Sequence, residues 1–394
     1  MLSHSTIGKK KLNYLRRHQK QLIRRKSMGE KKRQFTPRIR PKRSLFENRT
    51  PNSPPQTELN PPRQIENRWQ LDMPLAQRLF QKSGIGMLDQ AKYSINHFEL
   101  IFCFWYRHVP LPESFDFGSL LEKNPKLGHE VVLYDVLRNG GNILIPVGNL
   151  HHREFELPHG SWGAFWDRSL KWQSQNPTGC VKWVHSLDVI DWREIVEWAK
   201  SCIALGFEPI LVVIDGEMDV TSYLIQDIEP IGQHLSPESL TENEVQVIKA
   251  NLELAKSSEQ GWYVSQNIDT WPLPSFGVEH LSGRYFTDEE IDFLRYGEQP
   301  SQSKKQSLYA DLIQRGIMLR PGFKFGCCWR GYSMPMEDEH APYLIPDIDL
   351  LPHNYEALCL ALRLSEGVNK AWVLPCHNES ENWNYMTLSR WNSS

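Results

Sequence analysis

Two stretches of this chain read alike at an offset of 175 residues: LYDVLRNGGNILIPVGNL (133–150) and LYADLIQRGIMLRPGFKF (308–325). Both open on Leu-Tyr in an amphipathic helical pattern. Both then reach a glycine, Gly140 or Gly316, where a helix C-terminus takes a left-handed residue. Both continue into an apolar, strand-like run with proline at matching places, Pro146 and Pro321. An internal repeat constrains the fold more than composition does, because each copy must form the same supersecondary unit.

The likeness runs on downstream. REFELPHGSWGAFW (153–166) falls on RGYSMPMEDEHAPY (330–343) at an offset of 177. Helical patterns follow, DWREIVEWAKSCIALG (191–206) and HNYEALCLALRLSEG (353–367). Each precedes an apolar strand, PILVVID (209–215) or KAWVLP (370–375). Each ends in a polar turn and a last strand, DVTSYLI (219–225) or NYMTLSRW (384–391). Smaller segments, 66–128 and 245–295, precede the two units, and HFELIFCFWY (97–106) and FTDEEIDFLRYG (286–297) read as their last helices. The pattern predicts an α/β (α+β) chain in two tandem copies, each a small N-terminal α/β subdomain followed by a mixed-sheet domain.

Charge is divided as sharply as pattern. Residues 1–65 hold 18 Lys and Arg against 3 Asp and Glu, which leaves 27 basic and 44 acidic residues in the body. The segment ends in NRTPNSPPQTELNPPR (48–63), an extended linker by its proline content. It reads as a nucleic-acid-binding arm, as a solvated tail, or as a nuclear-import signal around RPKRS (40–44). The predicted boundaries are a basic tail and linker at 1–65, a first repeat at 66–235, the second repeat's small subdomain at 236–295 and a last domain at 296–394. Seven cysteines without a CxxC argue for reduced thiols in an intracellular setting rather than a disulfide framework. No apolar run reaches membrane-spanning length, so no membrane partner is expected.

The copies differ where chemistry needs ionisable groups. In this alignment Tyr332 faces Phe155, His340 faces Gly163 and Lys370 faces Pro209. Cleaving RNA without a metal needs a base for the ribose 2′-hydroxyl, an acid for the leaving 5′-oxygen and a cation for charge building on phosphorus. Tyrosine, histidine and lysine can fill those roles in that order. Singly, each has a plainer reading: a strand aromatic, a loop polar group and a solvated helix-end charge.

The stretches GFKFGCCWRGY…HAPYLI and ALRLSEGVNKAWVL resemble the tRNA-intron splicing endonucleases, and the likeness extends more weakly over 66–394. The resemblance implies Tyr332 as general base, His340 as general acid and Lys370 as stabiliser of the transition state. It implies cuts at both intron boundaries of a pre-tRNA, products with 2′,3′-cyclic phosphate and 5′-hydroxyl ends, and no metal or other cofactor. Arg363 and Arg390 stand where the family flanks a bulged base with guanidinium groups, a use their planar charge suits. One inactive and one active copy resembles the archaeal two-repeat homodimers, in which an acidic loop docks into the partner; Asp215, Glu217 and Asp219 lie in such a loop. The place implied is the cytoplasm of an archaeon, or the nucleus if the basic tail is an import signal. A catalytic or scaffolding subunit of a heteromeric eukaryotic-type splicing complex, and a non-catalytic RNA-binding protein, are the alternatives. Cys328-Trp329 departs from the family's common Asp-Phe pair, and the acidic body and long basic tail are also atypical.

Overall fold

A computed structural model describes residues 59–392 except 90–91, 152, 154, 266–270, 282, 298–302 and 378–381, and the sequence readings of the basic tail lie outside these residues. Four short strands open the described chain: β1 (Arg63–Ile65), β2 (Arg68–Gln70), β3 (Met87–Asp89) and β4 (Lys92–Ile95), ordered β1-β2-β4-β3. Thus β1 starts within the stretch assigned to the tail and linker. Helix α1 (Leu75–Ser83) sits between β2 and β3, and α2 (His97–Arg107) follows β4. After α3 (Phe117–Lys123) and α4 (Leu127–Leu137) come β5 (Ile143–Pro146), β6 (Gly163–Trp166), β7 (Gly179–His185), α5 (Trp192–Ala204), β8 (Glu208–Ile214) and β9 (Val220–Ile228).

The second half begins with α6 (Glu242–Glu253) and four more strands: β10 (Lys256–Ser258), β11 (Gly261–Val264), β12 (Val278–His280) and β13 (Gly283–Phe286). Their order, β10-β11-β13-β12, is that of the first small sheet. Then follow α7 (Asp288–Tyr296), α8 (Lys304–Gln314), β14 (Met318–Pro321), β15 (Trp329–Tyr332), β16 (Tyr343–Ile345), α9 (Tyr355–Gly367), β17 (Ala371–His377) and β18 (Trp383–Arg390). Strands β5 to β9 and β14 to β18 form one ten-stranded sheet, ordered β14-β15-β16-β17-β18-β9-β8-β7-β6-β5. Its parallel pairs are β7 with β8 and β16 with β17, because a helix crosses over between them; a hairpin cannot join parallel neighbours.

Register fixes which positions correspond. Ile143 pairs with Trp166 as Met318 pairs with Tyr332, and Gly179 pairs with Glu208 as Tyr343 pairs with Ala371. The halves meet along β9 and β18, where Leu388 faces Ile225, its own counterpart. Thr387 faces Gln226 and Ser389 faces Leu224, so the seam pairs the same two positions from each side. That is the self-complementary arrangement of a two-fold contact.

Alternation along the strands sends side chains to two faces. Trp372, Leu374, Met386 and Leu388 join Leu211, Val213, Tyr223 and Ile225 in a core closed by α5 and α9. Val373 and Tyr385 point the other way, into a core with Leu308 and Leu312 of α8. Each small sheet is fastened by a buried glutamate at a helix start. Glu99 accepts from the backbone N–H of Asn96 and Gly86, both at 2.8 Å. Glu290 accepts from Thr287 at 2.9 Å and Gly277 at 2.8 Å. Among the described residues only Glu290 of the two also binds a guanidinium, Arg320 Nη1 at 2.9 Å, which ties the second small sheet to β14. Among the described residues no helix is long and apolar enough to cross a membrane.

Candidate active site

Three neighbouring strands carry the tyrosine, histidine and lysine to one end of the large sheet. Tyr332 is the last residue of β15, beside the start of β16, since Gly331 pairs with Tyr343. His340 lies three residues before β16 and is exposed. Lys370 immediately precedes β17, whose Ala371 is level with Tyr343. Ala341 links the group: it packs with Tyr332 and Met318 in a small apolar cluster, and its carbonyl accepts a hydrogen bond from Lys370 Nζ. Tyr332 itself is 7% exposed, so the strand holds the ring while the loop holds the imidazole in solvent.

Three arginines lie on the elements next to Lys370. Continuing the register of β17 and β18 from the Val373–Thr387 pair brings Lys370 level with Arg390. Arg390 is exposed, and its backbone N–H donates to Glu366 Oε1 at 2.9 Å, which fixes the strand end against α9. Arg363 is exposed on α9, one turn before the helix ends. Arg330, two residues before Tyr332 and therefore on the same strand face, holds its guanidinium 5.8 Å from the Tyr332 ring centre. It lies 6.0 Å from the Phe325 ring, and Lys370 Nζ lies 5.7 Å from that same ring. Burial, and after it the charge of Arg330, lower the proton affinity of Lys370. Cys327 and Cys328 lie nearby, and burial pushes their thiols up to about 11 and about 12, so they stay protonated at neutral pH. All seven cysteines are free.

The first half presents a different picture at the corresponding positions, and it corrects the sequence alignment. By register Trp166, not Phe155, occupies the place of Tyr332. Counting back from Gly179, Asn176 takes the place of His340, where Gly163 was expected. Phe207 rather than Pro209 takes the place of Lys370. The slip has a simple origin. Between β5 and β6 the chain runs through 147–162, whereas between β14 and β15 it runs only through 322–328. The offset is 175 before that loop and 166 after it, so the 177 used there places Tyr332 eleven residues away from its counterpart. At the helix end, the left-handed residue matching Gly206 (φ 81°) is Asn369 (φ 55°), not Gly367, which is still helical. None of the corrected counterparts ionises, so the contrast between the halves survives with new partners.

Phe155 has its own role. Its ring centre lies 6.2 Å from Trp166 and 6.0 Å from Phe207, so it closes the space between the counterparts of Tyr332 and Lys370. Arg153 covers this cluster, with its guanidinium 5.4 Å from Phe155, and donates to the carbonyls of Gln173 at 2.8 Å and Gln175 at 3.1 Å. The first half thus has an aromatic plug where the second has ionisable groups.

The acidic hairpin between β8 and β9 projects from the same end of the sheet as Lys370. Asp215 Oδ1 accepts from the backbone N–H of Glu217 and Asp219, both at 2.9 Å, so this carboxylate shapes the turn itself. Glu217 is exposed and Asp219 half-buried. Sequence reasoning passed over Arg330 although it stood in the WRGY motif; strand alternation from Tyr332 was the signal that marked it.

Residues 302–385 match the family described as tRNA intron endonuclease, catalytic C-terminal domain. A tRNA-splicing endonuclease of Picrophilus torridus is 27% identical over 166 residues, covering 42% of this chain and 50% of that protein. One of Methanococcoides burtonii is 26% identical over 204 residues, 45% of this chain and 57% of that protein. One of Methanopyrus kandleri is 28% identical over 148 residues, 30% of this chain and 81% of that protein. The chain spans about half the length of the first two relatives, 50% and 57%. The chain is therefore similar to tRNA-intron endonucleases, and its residues 302–385 match the model of their catalytic C-terminal domain.

Proposed function

We propose that this chain cuts intron-containing pre-tRNA at both intron boundaries, without a metal, leaving 2′,3′-cyclic phosphate and 5′-hydroxyl ends. The observation that carries the reading is the meeting of Tyr332, His340 and Lys370 at one end of three adjacent strands, with Ala341 touching both Tyr332 and Lys370. Tyr332 removes the proton of the ribose 2′-hydroxyl, His340 protonates the leaving 5′-oxygen, and Lys370 offsets charge on the phosphorane oxygens. Arg363 and Arg390 grip a base beside the cut. The repeated strand orders and the matched seam support two tandem copies of one unit, of which the plugged first copy is structural. The chain works as a homodimer through the hairpin of Asp215, Glu217 and Asp219, so that two active copies make the two cuts.

The test incubates the purified full chain with an intron-containing pre-tRNA in EDTA, with the mass in solution measured alongside. Two cuts with cyclic-phosphate ends are expected from a species of twice the chain mass. His340→Ala should bind the RNA and leave it uncut. Retained cutting by that variant refutes the acid role, and absence of cutting by the unsubstituted chain points to a scaffolding or RNA-binding protein.

A further inference from the structure

Arg330 has a setting unlike that of the arginine across from it. The two face each other in the β14–β15 register, yet Arg320 is buried and bound to Glu290 at 2.9 Å. Among the described residues Arg330 makes no ion pair, and its hydrogen bond runs from Nε to the Pro321 carbonyl at 3.1 Å. That bond orients the guanidinium plane and leaves its two terminal NH₂ groups for another acceptor. Lys370 shares the Phe325 ring with it, at 5.7 Å against 6.0 Å. Two like charges are thus held on one ring, beside Tyr332, and among the described residues no carboxylate is ion-paired with either. Holding cations together is unfavourable unless an anion joins them. The corresponding position in the plugged half is Ala164, which is fully buried. The cation is therefore missing from the half that also lacks the tyrosine, histidine and lysine.

We infer that Arg330 contacts a non-bridging oxygen of the scissile phosphate, forming with Lys370 a two-cation seat for the phosphodiester. This rests on the cleavage reading above and extends it by one catalytic residue. A planar guanidinium suits the task, since it donates along two fixed directions to a tetrahedral oxyanion. The contact strengthens as charge builds on those oxygens, so it acts on rate more than on affinity.

The experiment is single-turnover cleavage of pre-tRNA by the full chain and by Arg330→Met and Arg330→Lys, with RNA affinity measured in parallel. The scissile phosphate carries oxygen, or sulfur at either non-bridging position. Arg330→Met should lose about 100-fold in rate, the order seen when one preorganised oxyanion donor is removed, with affinity held within a few-fold. Arg330→Lys should recover part of the loss. The penalty from one of the two sulfur substitutions should shrink in Arg330→Met. An unaltered rate overturns the contact, as does a slow variant with both sulfur penalties unchanged, because that is what a purely structural role produces. Where Arg330→Met does not fold, Arg330→Lys carries the sulfur comparison. Should the unsubstituted chain cut no pre-tRNA, the cleavage reading fails separately. The seat is then read from line broadening of inorganic phosphate by phosphorus NMR. Broadening by the unsubstituted chain that Arg330→Met loses upholds the seat, and any other pattern overturns it.

Discussion

Lys370 is where several residue-level effects meet. Burial is the largest influence lowering its proton affinity, the charge of Arg330 adds to it, and Cys327 and Glu339 act in the opposite sense. Its ammonium charge is therefore lost at a lower pH than the ordinary 10.5. If that charge supports cleavage, the alkaline fall in rate begins below the ordinary lysine value. Arg330→Met should move this limb upward without reaching the free value, since burial remains. Profiles of rate against pH for the two chains check it, and a limb that stays put shows that Lys370 does not feel Arg330. Arg320 gives a prediction of a different kind. Arg320→Met leaves the Glu290 carboxylate buried without its cation, a change that typically destabilises by about 3–5 kcal/mol. Denaturant unfolding measures it, and Arg320→Met with Glu290→Gln should recover part of the loss because no charge is then stranded.

At the scale of elements, two glycines that looked alike in sequence turn out to be under different constraints. Gly140 and Gly316 both adopt left-handed backbone, with φ of 75° and 74°. A side chain at Gly140 would meet nothing within 4 Å, but one at Gly316 would sit 2.7 Å from the Gly232 carbonyl oxygen. Gly140→Ala should therefore show only the conformational strain, about 1–2 kcal/mol. Gly316→Ala should cost more, because the linker at 232–234 must shift. That linker also donates from Gln233 N–H to the Ser333 carbonyl at 2.9 Å, immediately after Tyr332. Comparing the two melting curves tests this, and equal losses would contradict it. Much at this scale was legible. HFELIFCFWY and FTDEEIDFLRYG became α2 and α7 because helical periodicity and capping residues act locally. Gly316 follows the cap of α8 directly, whereas α4 ends at Leu137 with Arg138 as its cap and left-handed Gly140 lies in the turn beyond. The pairing of positions between halves was not legible, because a long loop after β5 breaks a constant offset and only strand register restores it. The ends of β15 and β17 meet through β16, a contact no local pattern encodes. Arg330 needed the strand's extent to be known before alternation could place it.

At the scale of the whole chain, charge is concentrated in a segment outside the described residues. Deleting residues 1–58 removes most of the 18 basic groups counted over 1–65. If these touch phosphates, the deletion should weaken pre-tRNA binding and flatten the slope of log affinity against log salt by somewhat under one for each phosphate set free. An unchanged slope removes the tail from the binding account. The body holds together across the β9–β18 seam, where Leu388 and Ile225 face each other at 3% and 1% exposure. The aromatic plug of the first half bears on how such a chain changes over generations. Placing tyrosine at 166 or lysine at 207 alone would press a polar group against Phe155 and bury it without a partner, which destabilises. Removing Phe155 alone would open a cavity in the cluster. Each single step toward a second ionisable site therefore costs stability at once. On the proposed reading, in which only the second half cuts, the plug makes that arrangement easier to deepen than to undo.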